Sequence, residues 1–214
     1  MAPELHVPSL THLRDFARAR VAGRPHHVAQ DFAQVNAASG DRFFAFAYER
    51  LLTSTIQFVD HGRRGDALDR AHETASPRMA ASYRSVARGL TQILHDHDIV
   101  AARRQQRNVV VADPDTGDSL VSLRLHLILT PQRGPAIATN VYFSEQALAP
   151  VEQSVMETAV ALATEQADPT LHPAIALARA GTMVVVEDQA LSAGRLDMLR
   201  AVSRDYVDEW NDQE

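Results

Sequence analysis

Residues 119–143 read Ser119-Leu-Val-Ser-Leu-Arg-Leu-His-Leu-Ile-Leu-Thr-Pro-Gln-Arg-Gly-Pro-Ala-Ile-Ala-Thr-Asn-Val-Tyr-Phe143, a strand, a turn and a returning strand. Val121, Leu123, Leu125, Leu127 and Leu129 alternate with Ser122, Arg124 and His126. A period of two is the mark of a strand with one apolar and one polar face. Pro131-Gln-Arg-Gly-Pro135 reverses the chain, and residues 136–143 form the partner strand. Pairing Thr130 with Ala136 sets Leu125 across from Val141 and Leu123 across from Phe143. A slip of one residue would set Leu125 against Asn140, so the first register is favoured. That register also places Arg124 opposite Tyr142 and His126 opposite Asn140.

Upstream, residues 107–112 read as a further strand, and Asp113-Pro-Asp-Thr-Gly-Asp118 as the turn between the two. Ser76-Pro77 opens a helix whose apolar stripe is Met79, Tyr83, Val86, Leu90, Ile93 and His97. Downstream, Ser144 and Pro150 open a helix carrying Leu148, Val151, Val155, Ala159 and Leu162; Asp168-Pro169 and Pro173 break it. Ile175 to Val186 then fit a tight hairpin pairing Leu177 with Val184. A short helix over 173–180 is the competing reading; the apolar alternation favours the strand. Ser192 caps a last helix with Leu196, Leu199, Tyr206 and Trp210 near one side.

Residues 1–75 read as helices. Ser9 caps one carrying Leu10, Leu13, Phe16, Ala17 and Val21, and a shorter one carries Val28, Phe32 and Val35. Asp41 caps a third, with Phe44, Tyr48, Leu51, Leu52, Ile56 and Val59; Phe43, Phe46 and Phe58 make it apolar nearly all round. The expected class is α+β: a helical region over 1–75, packed on or hinged to an antiparallel-sheet domain over 76–214 of order α-βββ-α-ββ-α.

Composition removes many chemistries. The 214 residues contain no cysteine, and all 21 basic residues are arginine. Without cysteine there is no disulfide, thiol nucleophile or thiolate zinc site. Without lysine there is no Schiff-base lysine and no phosphate-loop lysine, roles that arginine fills poorly. The formal charge of −6 resides wholly in residues 76–214; residues 1–75 hold nine Arg and nine Asp/Glu. An acidic domain repels phosphate backbones, which disfavours nucleic-acid binding. No run approaches the roughly 18 apolar residues of a membrane span. Met1-Ala-Pro-Glu-Leu-His6 has neither a basic region nor an apolar stretch, so a secretory signal is not expected and the cytoplasm is the default.

Helix, three strands, helix, two strands, helix, in mostly acidic sequence, resembles the type III secretion chaperone-like fold, including the YbjN-like bacterial proteins. The segments carrying the resemblance are strand 119–130, the hairpin Ile175-Ala-Leu-Ala-Arg-Ala-Gly-Thr-Met-Val-Val-Val-Glu187 and the aromatic-ended helix closing at Trp210. It covers about two thirds of the chain. The resemblance implies a homodimer that holds an extended segment of another protein without catalysis. A sheet covered by helices on one face would leave its other face and an edge for such a client.

Candidate chemistry is sparse. Arg124, His126, Asn140 and Tyr142, with Arg107, form the one polar constellation that shares a surface. It suits a phosphate or carboxylate, acid–base work through His126, or a base stacked on Tyr142; the bland alternative is a solvated or dimer-facing sheet. His95-Asp96-His97-Asp98 is the densest ligand cluster, but on a helix His95 and His97 diverge, and two ligands fall short of a tetrahedral site. Asp113–Asp118 compares with a calcium loop, yet its sixth position is Asp118 and its twelfth Arg124, where glycine and glutamate are required. Arg63-Arg64 between glycines is a charged turn or an anion grip, and Arg64-Gly65-Asp66 spells an adhesion tripeptide that has no role without secretion. The expectation is a peptide-binding chaperone or adaptor, without metal or cofactor. The rivals are a small-ligand protein or enzyme using the face around His126, and a nucleic-acid regulator using the arginine-bearing N-terminal helices. A deep pocket lined by the polar constellation would favour the first rival.

Overall fold

The computed structural model describes residues 6–36, 48–73, 75–105 and 108–213. Helices α1 (Leu10–Arg18), α2 (Arg24–Asn36), α3 (Glu49–Asp60) and α4 (Pro77–Asp96) come first. Strands β1 (Ile99–Arg104), β2 (Val109–Ala112), β3 (Ser119–Leu123), β4 (Leu127–Pro131) and β5 (Ile137–Tyr142) follow. Helix α5 (Pro150–Ala167), the pair β6 (His172–Leu177) and β7 (Thr182–Val185), and α6 (Ala193–Asn211) complete the chain. This is the expected α+β architecture, with the helix, strands, helix, strand pair and final helix in the expected order. Asp41, Phe43, Phe44 and Phe46 lie outside the described residues.

The β4–β5 register is the one the sequence specifies: Leu127 pairs with Thr139, Ile128 with Ala138 and Leu129 with Ile137. At His126 the pairing shifts by one residue, its N–H going to Thr139 O at 2.8 Å where the register would offer Asn140 O. Beyond it the expectation changes. The single strand over 119–130 is two strands, broken at Arg124-Leu125-His126. β3 pairs with β2 in a separate two-stranded sheet, while β4 belongs to a five-stranded sheet of order β1-β4-β5-β6-β7. β1, unforeseen, pairs antiparallel with β4.

The break has a packing cause. Val121, Leu123 and Leu125 join one core with Leu13, Phe16, Met156 and Tyr206. Leu127 and Leu129 join a second core with Leu51, Leu52, Leu90 and Ile93. The leucine row that reads as one face is shared between two cores, and the chain rolls over at 124–126. α5 covers one face of the large sheet, with α1, α6 and the small β2–β3 sheet packed against α5; α3 and α4 cover the other face. Both faces are therefore occupied, and all six residues of β5 are buried. Among the described residues, neither face of the large sheet is left open as expected for a client.

The sheet is also mixed. β5 and β6 run parallel, joined by the α5 crossover, a connection that needs a helix-length excursion. β6 and β7 form the expected strand pair, but Leu177 pairs with Thr182, and Ile175 with Val184. The offset is two residues, which leaves the faces unchanged. Ala178 to Gly181 make the connection, with Gly181 at φ +69°. α4 crosses this turn through Gly89, where a Cβ would lie 1.7 Å from Ala178 O. Only glycine lets the helix backbone come that close.

The other motifs have structural duties. Asp113 accepts from Asp115 N at 2.8 Å and is gripped from α6 by Arg200, Nε to Oδ2 at 2.6 Å and Nη2 to Oδ1 at 2.8 Å. Those hydrogen bonds hold its carboxyl at about 2, below the usual carboxylate value. Arg63 donates to Leu94 O at 3.1 Å at the C-terminal end of α4, where unpaired helix carbonyls favour a cation. His95 and His97 lie in that same terminus. Among the described residues no three His, Asp or Glu side chains converge as metal ligands.

Candidate functional site

Where the chain rolls at Arg124-Leu125-His126, the two cores part and leave a cleft of about 860 Å³. That lies within the range of roughly 300–1,000 Å³ typical of small-molecule sites. Its apolar walls draw on both cores: Leu10, Leu123, Met156 and Tyr142 from one, Leu52, Val141, Phe143 and Tyr48 from the other. It sits at the carboxyl end of β5, ahead of the α5 crossover, the position where parallel βαβ units commonly bind ligands. Arg124, His126, Asn140 and Tyr142, singled out from the strand register, all line it. Arg107 lies outside the described residues.

The expected opposition of His126 and Asn140 is not kept, because the His126 N–H bonds Thr139 O, one residue off the β4–β5 register; side-chain bonds to backbone bring the two together instead. Each is tied to backbone. His126 Nδ1 accepts the Val141 N–H at 3.0 Å, so the ring proton is on Nε2. Burial, then the charges of Arg124 and Arg104, lowers the His126 pKa to about 3. Protonating Nδ1 would also set N–H against N–H. Near neutral pH this histidine is a fixed neutral donor, and the acid–base reading loses its base: the lone pair that would take a proton is already bonded. Asn140 donates Nδ2 to Arg124 O at 2.8 Å. A carbonyl only accepts, so the amide orientation is determined and Oδ1 remains as the acceptor.

Arg124 is held by two side chains. Its Nη1 donates to Glu49 Oε1 at 2.6 Å and its Nε to Asn108 Oδ1 at 3.1 Å, while Glu49 also pairs with Arg104. Tyr142 lies under the Arg14 guanidinium, 5.2 Å from the ring centroid, and donates its hydroxyl to Gln146 O at 2.7 Å. Its face is thus taken by a cation rather than free for a base.

The far wall was not legible from the sequence. Tyr48 stacks on Phe143 at 4.1 Å and 1°, and its hydroxyl is 2.8 Å from Ser82 Oγ. Arg179 reaches in from the β6–β7 turn, donating Nε to Phe143 O at 2.8 Å and Nη2 to Ser82 Oγ at 2.6 Å, and pairing with Glu145. Glu49, Tyr48 and Arg179 meet Arg124 and Phe143 only through the fold, and no local pattern signals them. Three arginines and two glutamates line the cleft, a net positive balance inside an acidic protein.

Three arginines of the N-terminal helices are paired within the fold. Arg14 and Arg18 approach the buried carboxylate of Glu152 at 3.8 and 3.6 Å, and Arg24 pairs with Asp205 at 3.2 Å. No helix among the described residues is long and apolar enough to cross a membrane. Comparison with known proteins finds no matching family model, no matching curated protein and no matching solved structure.

Proposed function

We propose that this protein binds a small organic anion in the cleft between its two cores. The observation that carries the reading is the cleft itself, about 860 Å³, lined by Arg124, His126, Asn140 and Tyr142. Arginine forks suit carboxylate and phosphate groups, and the apolar walls suit the ligand's carbon skeleton. Glu49 is an internal carboxylate seated on Arg124, so a ligand's acidic group meets a cation already shaped for one. We place this activity in the cytoplasm.

Calorimetric titration of the full chain with inorganic phosphate, ribose 5-phosphate, benzoate and adenosine 5′-monophosphate tests the reading. Saturable binding of at least one probe is expected, weakened about tenfold in Arg124→Gln, the loss of one charge-assisted contact. Absence of saturable binding by all four, or binding indifferent to Arg124→Gln, contradicts it.

A second reading, the dimeric peptide-binding chaperone, keeps one observation. With both sheet faces covered, the edge strands β1 and β7 carry the exposed side chains Val100 (51%) and Val185 (45%), and an extended peptide can add at such edges. That reading predicts that Val185→Lys abolishes association, whether with a client or with a second copy, while leaving the cleft untouched.

A further inference from the structure

Asn140 is 6% exposed and lines the cleft. Its Nδ2 is committed to Arg124 O, and no hydrogen-bond partner for Oδ1 is present among the described residues. His126 has Nδ1 committed to the N–H of Val141, the residue after Asn140, and offers Nε2–H. Asn140 in turn is bonded to Arg124, two residues before His126, so the two side chains are held beside one another in the cleft. They present one donor beside one acceptor, each with its orientation fixed by a backbone bond. Neither can exchange roles by an amide flip or a change of tautomer without breaking that bond.

We propose that His126 and Asn140 read the edge of a planar nitrogen heterocycle of the nucleobase type, carried by the anionic ligand of the cleft. This deepens the proposed function and rests on it. The complementary group must present an acceptor and a donor side by side on one edge. A trans peptide bond does not, because its N–H and C=O point to opposite sides. The amidine edge of an aminopurine and the lactam edge of an oxopurine do: the ring nitrogen or carbonyl accepts from His126 Nε2–H, and the neighbouring N–H donates to Asn140 Oδ1. Recognition of this kind is strongly selective, since an analogue lacking the donor leaves Asn140 Oδ1 buried against it unpaired. The anionic part of the same ligand then falls to Arg124, whose carbonyl already orients Asn140.

Ligand analogues test this without altering the protein. The full chain is titrated calorimetrically with adenosine 5′-monophosphate, guanosine 5′-monophosphate, N6,N6-dimethyladenosine 5′-monophosphate and ribose 5-phosphate. The His126 imidazole nitrogens are followed by NMR in parallel. The two natural nucleotides are expected to bind and to shift the His126 Nε2 signal. The dimethyl analogue, with its exocyclic donor removed, is expected to bind at least about tenfold more weakly than its parent. Equal binding of the dimethyl analogue and its parent, or of ribose 5-phosphate and the nucleotides, overturns the edge reading while leaving the anion reading intact. Failure of all four to bind overturns the edge reading, and the anion reading falls with it if inorganic phosphate and benzoate also fail to bind. Binding of the nucleotides without any shift at His126 Nε2 also overturns it.

Discussion

At the scale of residues, a half-buried histidine whose Nδ1 accepts a backbone N–H resists protonation. In the unfolded chain His126 takes a proton below its ordinary value of 6.5; in the folded protein it does not until about 3. The unfolded state therefore binds more protons in that interval, and linkage makes the protein less stable as pH falls through it. The His126 contribution is fully present above about 6.5 and is progressively lost down to about 3. His6, lowered by burial and then by His12, adds in the same direction. Urea unfolding followed from pH 7 to pH 4 should show falling stability, with a shallower slope in His126→Gln. An unchanged slope would mean that His126 titrates normally in the folded chain. The same residue shows why acid–base chemistry was a fair expectation from sequence and a poor one from structure. That a histidine and an asparagine come near each other is legible in the strand pairing, whereas the one-residue shift at His126 and the Val141 N–H that occupies its basic nitrogen are not.

At the scale of elements, the sequence was informative wherever one local period met one environment. The β4–β5 register followed from keeping Leu and Val together, and α1 from Ser9, whose Oγ accepts from His12 N at 3.2 Å. It was misleading where a run served two environments. Alternation through Leu123, Leu125, Leu127 and Leu129 suggests one strand, yet Leu127-Ile128-Leu129 is already three apolar residues in a row, the mark of a strand buried on both faces. The covering of both faces was latent there. β1 was missed because its exposed residues follow the α4 stripe with little alternation of their own. Gly89 shows another limit: within a helical stripe it looks like a weak point, and only the β6–β7 turn beneath it explains the residue. Gly89→Ala forces a Cβ into the Ala178 carbonyl and should cost about 3 kcal/mol. Gly194→Ala, with nothing within 4 Å of its Cβ, should be neutral or stabilise α6 by up to about 1 kcal/mol. Chemical denaturation of the two variants distinguishes them, and equal stability would remove the close approach from the account.

At the scale of the whole molecule, the helices of the first 75 residues belong to the cores of the sheet. α1 contributes Leu13 and Phe16 to the core it shares with α5 and α6, and α3 contributes Leu51 and Leu52 to the other. Removing residues 1–75 strips one wall from each core and two walls from the cleft. The truncated chain is expected to lose cooperative unfolding and dispersed amide signals; a truncation that unfolds with the full chain's midpoint would show instead that 76–214 stands alone. The cleft exists because these layers meet at the roll of 124–126. Its role as a site for an anionic nucleotide is tested most directly by a ¹H–¹⁵N NMR titration of the full chain with adenosine 5′-monophosphate. Saturable shifts centred on Arg124 Nε–H, His126 and Asn140 are expected; no shift, or shifts centred away from the cleft, would rule that role out.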